Sequence, residues 1–228
     1  MKREGFSDDE QYARKVAAFL SVDLDVIPGN LDILRRFDQM IWQLDEPQAD
    51  PAPLHVYTIC EGARQKGIKV LLGGTAGDDL FSGYRRHQAI NLEKYFKFIP
   101  RSVSNLVESG FGSFRETNPT MRRIKKVARE MNKTKLERFA GYFTWLPQQQ
   151  VMNLFAEEVR GNLIAQVLPN EYYDRLLAGL PEFTDDLNRL LFLELKTFLP
   201  DHNLNDTDMM SMANGVAARV PYLDAELV

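Results

Sequence analysis

Apolar positions recur every three or four residues through most of the chain, and that spacing predicts helices. Residues 8–20 align Tyr12, Val16, Phe19 and Leu20 behind an acidic first turn, Asp8-Asp9-Glu10, which suits the helix dipole. Residues 30–44 place Leu31, Leu34, Phe37, Ile41 and Leu44 on one face, with Asn30 as N-cap. A third helix is expected over 53–66, stopped by Lys66-Gly67. Two stretches break this rhythm. Val22-Asp23-Leu24-Asp25-Val26-Ile27 alternates strictly between apolar and polar, which predicts a short strand closed by Pro28-Gly29-Asn30. Ile68-Lys69-Val70-Leu71-Leu72 is short, apolar and partly β-branched, and ends in Gly73-Gly74, the pattern of a parallel strand buried on both faces.

The order helix, strand, helix, helix, strand predicts an α/β layer with a parallel sheet over residues 1–90. Beyond it the pattern turns helical. Residues 88–98, 102–113, 120–132, 134–145, 148–156, 159–167, 171–179, 183–198 and 206–214 read as helices or helical turns, and no further strand stands out. Residues 91–228 are therefore expected to form a mainly helical remainder.

Composition narrows the class. A chain of 228 residues with 44% apolar content buries enough surface to hold its core without metal or disulfide. The net charge of −4 argues against nucleic acid as the main partner. No apolar run reaches the ~18 residues of a membrane span, and Met1-Lys2-Arg3-Glu4-Gly5-Phe6 lacks the apolar core of a signal peptide. The single Cys60 points to a reducing cytoplasm and reads as a small core residue.

The candidate chemistry begins where the 68–72 strand ends, at Gly73-Gly74-Thr75-Ala76-Gly77-Asp78-Asp79-Leu80-Phe81-Ser82-Gly83-Tyr84. Ligands of open α/β sheets bind beyond the carboxyl ends of strands, and glycines there let main-chain N–H groups approach phosphate. Two adjacent carboxylates beside such a turn suit Mg²⁺, which bridges anions. The alternative is a tight strand-to-helix turn in which Asp78 and Asp79 face the helix dipole. The loop lacks the Lys-Ser/Thr ending of a Walker A motif. Arg85 and Arg86 suit either a bound anion or a solvated helix face. The basic stretch 115–138 interleaves Met121, Ile124, Val127, Ala128 and Met131, as an amphipathic helix with a charged outer face does. Phe139, Tyr142, Phe143 and Trp145 read as helix–helix core. Arg219, set between apolar neighbours, is expected to need a carboxylate or a ligand as partner.

Three segments, taken in order, resemble the synthetase domain of glutamine-hydrolysing asparagine synthetases. They are Asp45-Glu46-Pro47 with Ala49-Asp50-Pro51, the loop 73–84, and Ser211-Met212-Ala213 running into Arg219-Val220-Pro221-Tyr222-Leu223-Asp224. The resemblance spans essentially the whole chain. It implies a Rossmann-like layer of ATP-pyrophosphatase type followed by a mostly helical region. It also implies ATP and Mg²⁺, adenylylation of an aspartate-like carboxylate, and attack by ammonia from a glutaminase domain. Carried over by residue, Gly73 and Gly74 match the nucleotide-contacting pair, and Asp78 matches a Mg²⁺-pyrophosphate ligand. Asp79 stands where the family usually has Glu, and Asp23 falls where the family touches base or ribose. Thr75 stands at the position of an acidic residue associated with the acyl-adenylate, which leaves aspartate and another carboxylate, such as a sugar acid, both open. Met209 and Ala217 replace a basic residue and a Glu of the family pattern.

The family's Ser-Gly-Gly-x-Asp-Ser pyrophosphate loop is not found, which is expected of an internal piece of such a protein. A sheet without its first strand would invite self-association into a homo-oligomer. The competing expectation is a degenerate domain that keeps the fold for binding or assembly.

Overall fold

The computed structural model describes residues 9–27, 33–44, 46, 48, 50–93, 133–144, 146, 148–164 and 169–227. The helices in chain order begin with α1 (Asp9–Leu20), α2 (Ile33–Gln43) and α3 (Ala52–Gln65), and the strand β1 (Val70–Leu72) follows. Next come α4 (Gly77–Leu80), α5 (Arg85–Glu93), α6 (Lys135–Phe143), α7 (Gln148–Met152), α8 (Glu157–Ile164), α9 (Pro169–Leu177) and α10 (Asp186–Lys196). A π-helical turn (Leu199–Leu204), α11 (Asn205–Ala213), β2 (Ala217–Arg219) and a 3-10 turn (Pro221–Leu223) complete the order. Among the described residues no helix is long and apolar enough to cross a membrane. The chain divides into two units, Met1–Gly73 with Leu204–Pro221, and Gly74–Asn203 with Tyr222–Val228.

The first unit is built around α3. Asp50 Oδ1 accepts from Ala52 N at 2.9 Å and satisfies one of the free amides at the helix start. Gly67 at φ 78° lets the chain turn off the far end. Met40, Leu44, Leu54, Tyr57 and Met210 form the buried core, with Met209 and Ala213 of α11 packed against it. Asn214 Nδ2 ties α11 to α3 by donating to the Tyr57 carbonyl at 3.2 Å. Cys60 is buried, as expected, and burial pushes its thiol up.

β1 and β2 pair in parallel, Val70 with Ala217, Leu71 with Ala218 and Leu72 with Arg219. The second strand corrects the expectation of a strand-free C-terminal half. The sheet of the described residues has these two strands. A neighbour on one edge covers no face, so β1 is not buried on both sides: Val70 and Leu72, which share a face by the two-residue period, are 54% and 75% exposed. Residues 22–27 form no strand either. Ser21 at φ 53° caps α1, and the following apolar side chains Val22, Leu24 and Val26 stay exposed. Alternation supplies a strand's side-chain pattern but not its hydrogen-bonding partner. Arg219 is exposed, so it needs no buried counter-charge, and its carbonyl accepts from Gly73 N at 2.8 Å.

The second unit is helical. Ile90, Phe139, Ala140, Tyr173, Leu177, Leu190 and Leu193 make its core, with Tyr142 and Phe143 packed against it. Thr134 and Glu137 form a capping box on α6, and Asp185 caps α10 through Asn188 N at 2.9 Å. Arg138 is not on a purely solvated face: its Nε donates to buried Glu93 at 2.7 Å. The helices expected over 102–113 and 120–132, most of the basic stretch, Asn30 and Trp145 lie outside the described residues.

Leu193 is fully buried in this core. Leu193→Ala is expected to lower stability by about 2–5 kcal/mol through lost transfer energy and the cavity left behind, measured by urea denaturation.

Candidate functional site

The candidate loop begins as continuation of the ladder, since Gly73 N bonds the Arg219 carbonyl within the first unit. Asp23 also belongs to the first unit and is exposed. The remaining candidates, Gly74, Thr75, Asp78 and Asp79, lie together on one turn of the second unit. A Cβ placed on Gly74 would meet nothing within 4 Å, so the main chain there borders open space. Gly77 N donates to the Gly74 carbonyl at 3.1 Å and folds the loop back. Ala76 enters α4 at φ 72°, a conformation an alanine adopts at a cost of roughly 1–2 kcal/mol.

The two carboxylates on α4 have opposite surroundings. Asp78 is exposed, and its side chain lies over Gly83 so closely that a Cβ there would stand 1.9 Å from Oδ1. Gly83 N donates to the Asp78 carbonyl at 2.9 Å, which fixes that approach. Asp79 is buried. Its Oδ2 accepts from Tyr84 Oη and its Oδ1 from Asn203 Nδ2, each at 3.4 Å, and Asn203 also donates to Tyr84 Oη at 3.2 Å. Burial pushes the Asp79 carboxyl above the usual aspartate range, against its own main-chain hydrogen bond and the charge of Arg86. Burial, then the Asp79 charge, raises the Tyr84 phenol.

Arg86 and His87 form neither the solvated face nor the anion clamp that the sequence suggests, whereas Arg85 is exposed. Both Arg86 and His87 bond the buried Glu194 of α10: Arg86 Nη2 donates to Oε1, and His87 Nε2 stands 2.5 Å from Oε2. The Arg86 guanidinium lies over the rings of Tyr84 at 3.9 Å and Phe198 at 4.7 Å. Burial lowers its pKa from the ordinary arginine value. Burial, then the Arg86 charge, lowers His87 as well. With Arg86 already neutralising Glu194, we assign His87 as neutral with the proton on Nε2, donating to the carboxylate.

Tyr84, Arg86, His87, Glu194 and Asn203 are the residues of this neighbourhood that sequence reasoning did not assign. Glu194 had a readable signal. It shares the spacing of Leu190, Leu193 and Thr197, so an acidic residue sits on the apolar face of its helix.

Asp78 suits Mg²⁺ as a hard oxygen ligand open to solvent. Among the described residues no three His, Cys, Asp or Glu side chains gather to cage a metal. Asp79, enclosed by Tyr84 and Asn203, is less open to an ion.

The family model described as Asparagine synthase matches residues 3–228. The chain belongs to the asparagine synthase family. Among curated proteins it is similar to the glutamine-hydrolyzing asparagine synthetase 1 of Bacillus subtilis, with 26% identity over 231 residues covering 98% of this chain and 34% of that protein. It is similar to a putative glutamine-hydrolyzing asparagine synthetase of Mycobacterium tuberculosis, 26% identical over 233 residues, 99% of this chain and 33% of that protein. An amidase of Penicillium rubens is 24% identical over 247 residues, 97% of this chain and 34% of that protein. The chain thus spans about a third of the length of these relatives. No solved structure matches the chain at a significant level.

Two outcomes follow for this asparagine synthase domain. Gly83→Ala should swing the exposed Asp78 carboxylate aside and change stability by about 0.5 kcal/mol or less, the scale of a surface substitution, read by denaturant titration. The folded pKa of His87 lies below its ordinary 6.5, so the unfolded chain takes up a proton first as pH falls. Its contribution to stability is complete above pH 6.5 and declines below it, and His87→Gln should flatten that limb of a stability–pH curve.

Proposed function

We propose that this chain is part of the synthetase domain of an ATP-dependent amidotransferase. The domain adenylylates a carboxylate, aspartate or a related acid, for attack by ammonia released from glutamine by a glutaminase domain. On this reading residues 1–90 contribute to a Rossmann-like nucleotide layer of ATP-pyrophosphatase type, and 91–228 form its helical continuation. The reaction is carboxylate activation. A carboxylate oxygen bonds the α-phosphorus as pyrophosphate leaves; ammonia then bonds the acyl carbon as AMP leaves. Small molecules are the partners, the setting is the cytoplasm, and the strand edges left unpaired among the described residues suit a homo-oligomer.

The observation that carries the reading is the turn itself: open main chain at Gly74 and an exposed Asp78 one helical turn on, in a chain of this family. The amide of Gly74 would bind phosphate oxygens, Gly73 would only shape the turn because its own amide is held by the Arg219 carbonyl, and Asp78 would hold Mg²⁺. When bound, Mg²⁺ supplies charge neutralisation for the departing pyrophosphate. Thr75 and Asp79 would orient the reacting carboxylate, and Asp23 would touch base or ribose. The names of the relatives, synthetases and an amidase, support amide chemistry.

A second reading is a degenerate domain that retains the fold for binding or assembly. It is favoured by Met209, which packs against the first unit's apolar core where the family pattern has a basic residue.

Calorimetry with ATP and Mg²⁺ separates the two. The enzymatic reading expects saturable, Mg²⁺-dependent heat and a loss of affinity of about tenfold or more in Asp78→Asn, the scale of a charge-assisted contact. No heat at millimolar ATP leaves the second reading.

A further inference from the structure

The carboxylate pair stands on a helix of four residues, Gly77–Leu80, far too short to hold itself in place. Non-glycine residues in the left-handed region flank it, Ala76 at φ 72° and Ser82 at φ 61°, so the backbone resists this shape rather than favouring it. Something outside the turn must fix it.

One later segment supplies the anchors. Glu194 near the end of α10 spends both oxygens on α5, one on Arg86 and one on His87. After the π-helical turn Leu199–Leu204 sets in, Asn203 reaches back to Asp79 and Tyr84. π-helical turns are rare and shift the register of the side chains that follow. Between the two anchors the Tyr84 ring lies against the Arg86 guanidinium, and Phe198 lies against it too. Phe198 is stacked in turn on His202 at 4.7 Å and 12°. Arg86 is therefore held by charge at its tip and by rings along its plane.

We propose that Glu194 is a positioning residue for the Asp78–Asp79 turn: by gripping Arg86 and His87 together it fixes Tyr84, and through Tyr84, with Asn203, the carboxylate of Asp79. Glu194 itself touches none of the reacting groups. The consequence for nucleotide binding rests on the function proposed above; the grip does not.

The test is amide hydrogen exchange on the 228-residue chain. Glu194→Gln keeps the side-chain volume and one acceptor but removes the charge. The amides of residues 78–83 should exchange about tenfold faster or more, while those of α6 and α9 change by less than about twofold, the mark of local opening. Affinity for ATP with Mg²⁺ should fall about tenfold, and the Glu194→Gln, Tyr84→Phe double variant should lose less than the two single losses combined, because both lie on one line of contacts. Unchanged exchange at 78–83, or acceleration spread evenly over α6 and α9, overturns the proposal. If Glu194→Gln does not fold, Tyr84→Phe alone decides by the same local exchange: acceleration confined to 78–83 supports the proposal, and no acceleration there overturns it. If the unaltered chain does not bind ATP, the proposed function fails while the exchange result still decides the grip.

Discussion

A fully buried carboxylate is costly to desolvate unless its oxygens find partners, and Glu194 gives each oxygen one from two consecutive residues of another helix. The seating of α5 against α10 depends on this arrangement. Arg86 cannot reach its place among the rings of Tyr84, Phe143 and Phe198 without a counter-charge, and its Nε already lacks a hydrogen-bond partner there. Removing one member of such a cluster leaves a buried charge uncompensated, at about 3–5 kcal/mol, whereas an apolar replacement of the whole cluster can be nearly neutral. What the ions supply is a single permitted alignment of α5 against α10, and a loop whose carboxylates are meant to meet a ligand needs that alignment.

Much of the helical architecture was legible. The stripes of α2 and the signals around α3 encode their own elements, because a helix satisfies its hydrogen bonds locally and needs from outside only a surface to cover its apolar face. Strands were harder for the opposite reason. Ala217-Ala218-Arg219 has little strand character and becomes β2 because β1 offers it a ladder. Residues 22–27 have the strand pattern and lack a described partner. Pairing over such separations leaves no local trace.

The site divided along similar lines. The turn at 73–79 could be seen from glycines, carboxylates and the strand before it, features close together in sequence. Its supports could not. His87 and Glu194 are 107 positions apart, and Asn203 and Asp79 are 124 apart. Arg86 reads as surface until a carboxylate from a distant helix is known to lie beside it. Arg219 misled in reverse: apolar neighbours in sequence are not apolar neighbours in space.

The parallel ladder between Val70–Leu72 and Ala217–Arg219 also sets an order of events during synthesis. Residues 74–203 leave the ribosome before α11 and β2 exist. The inserted helical unit can therefore collect nearly all of its chain while β1 is not yet paired with β2. At about 5–20 residues per second that interval lasts on the order of ten seconds. Chaperones that shield apolar nascent segments would meet α2 and α3 first, because α11, which completes their core, follows the inserted unit in the chain.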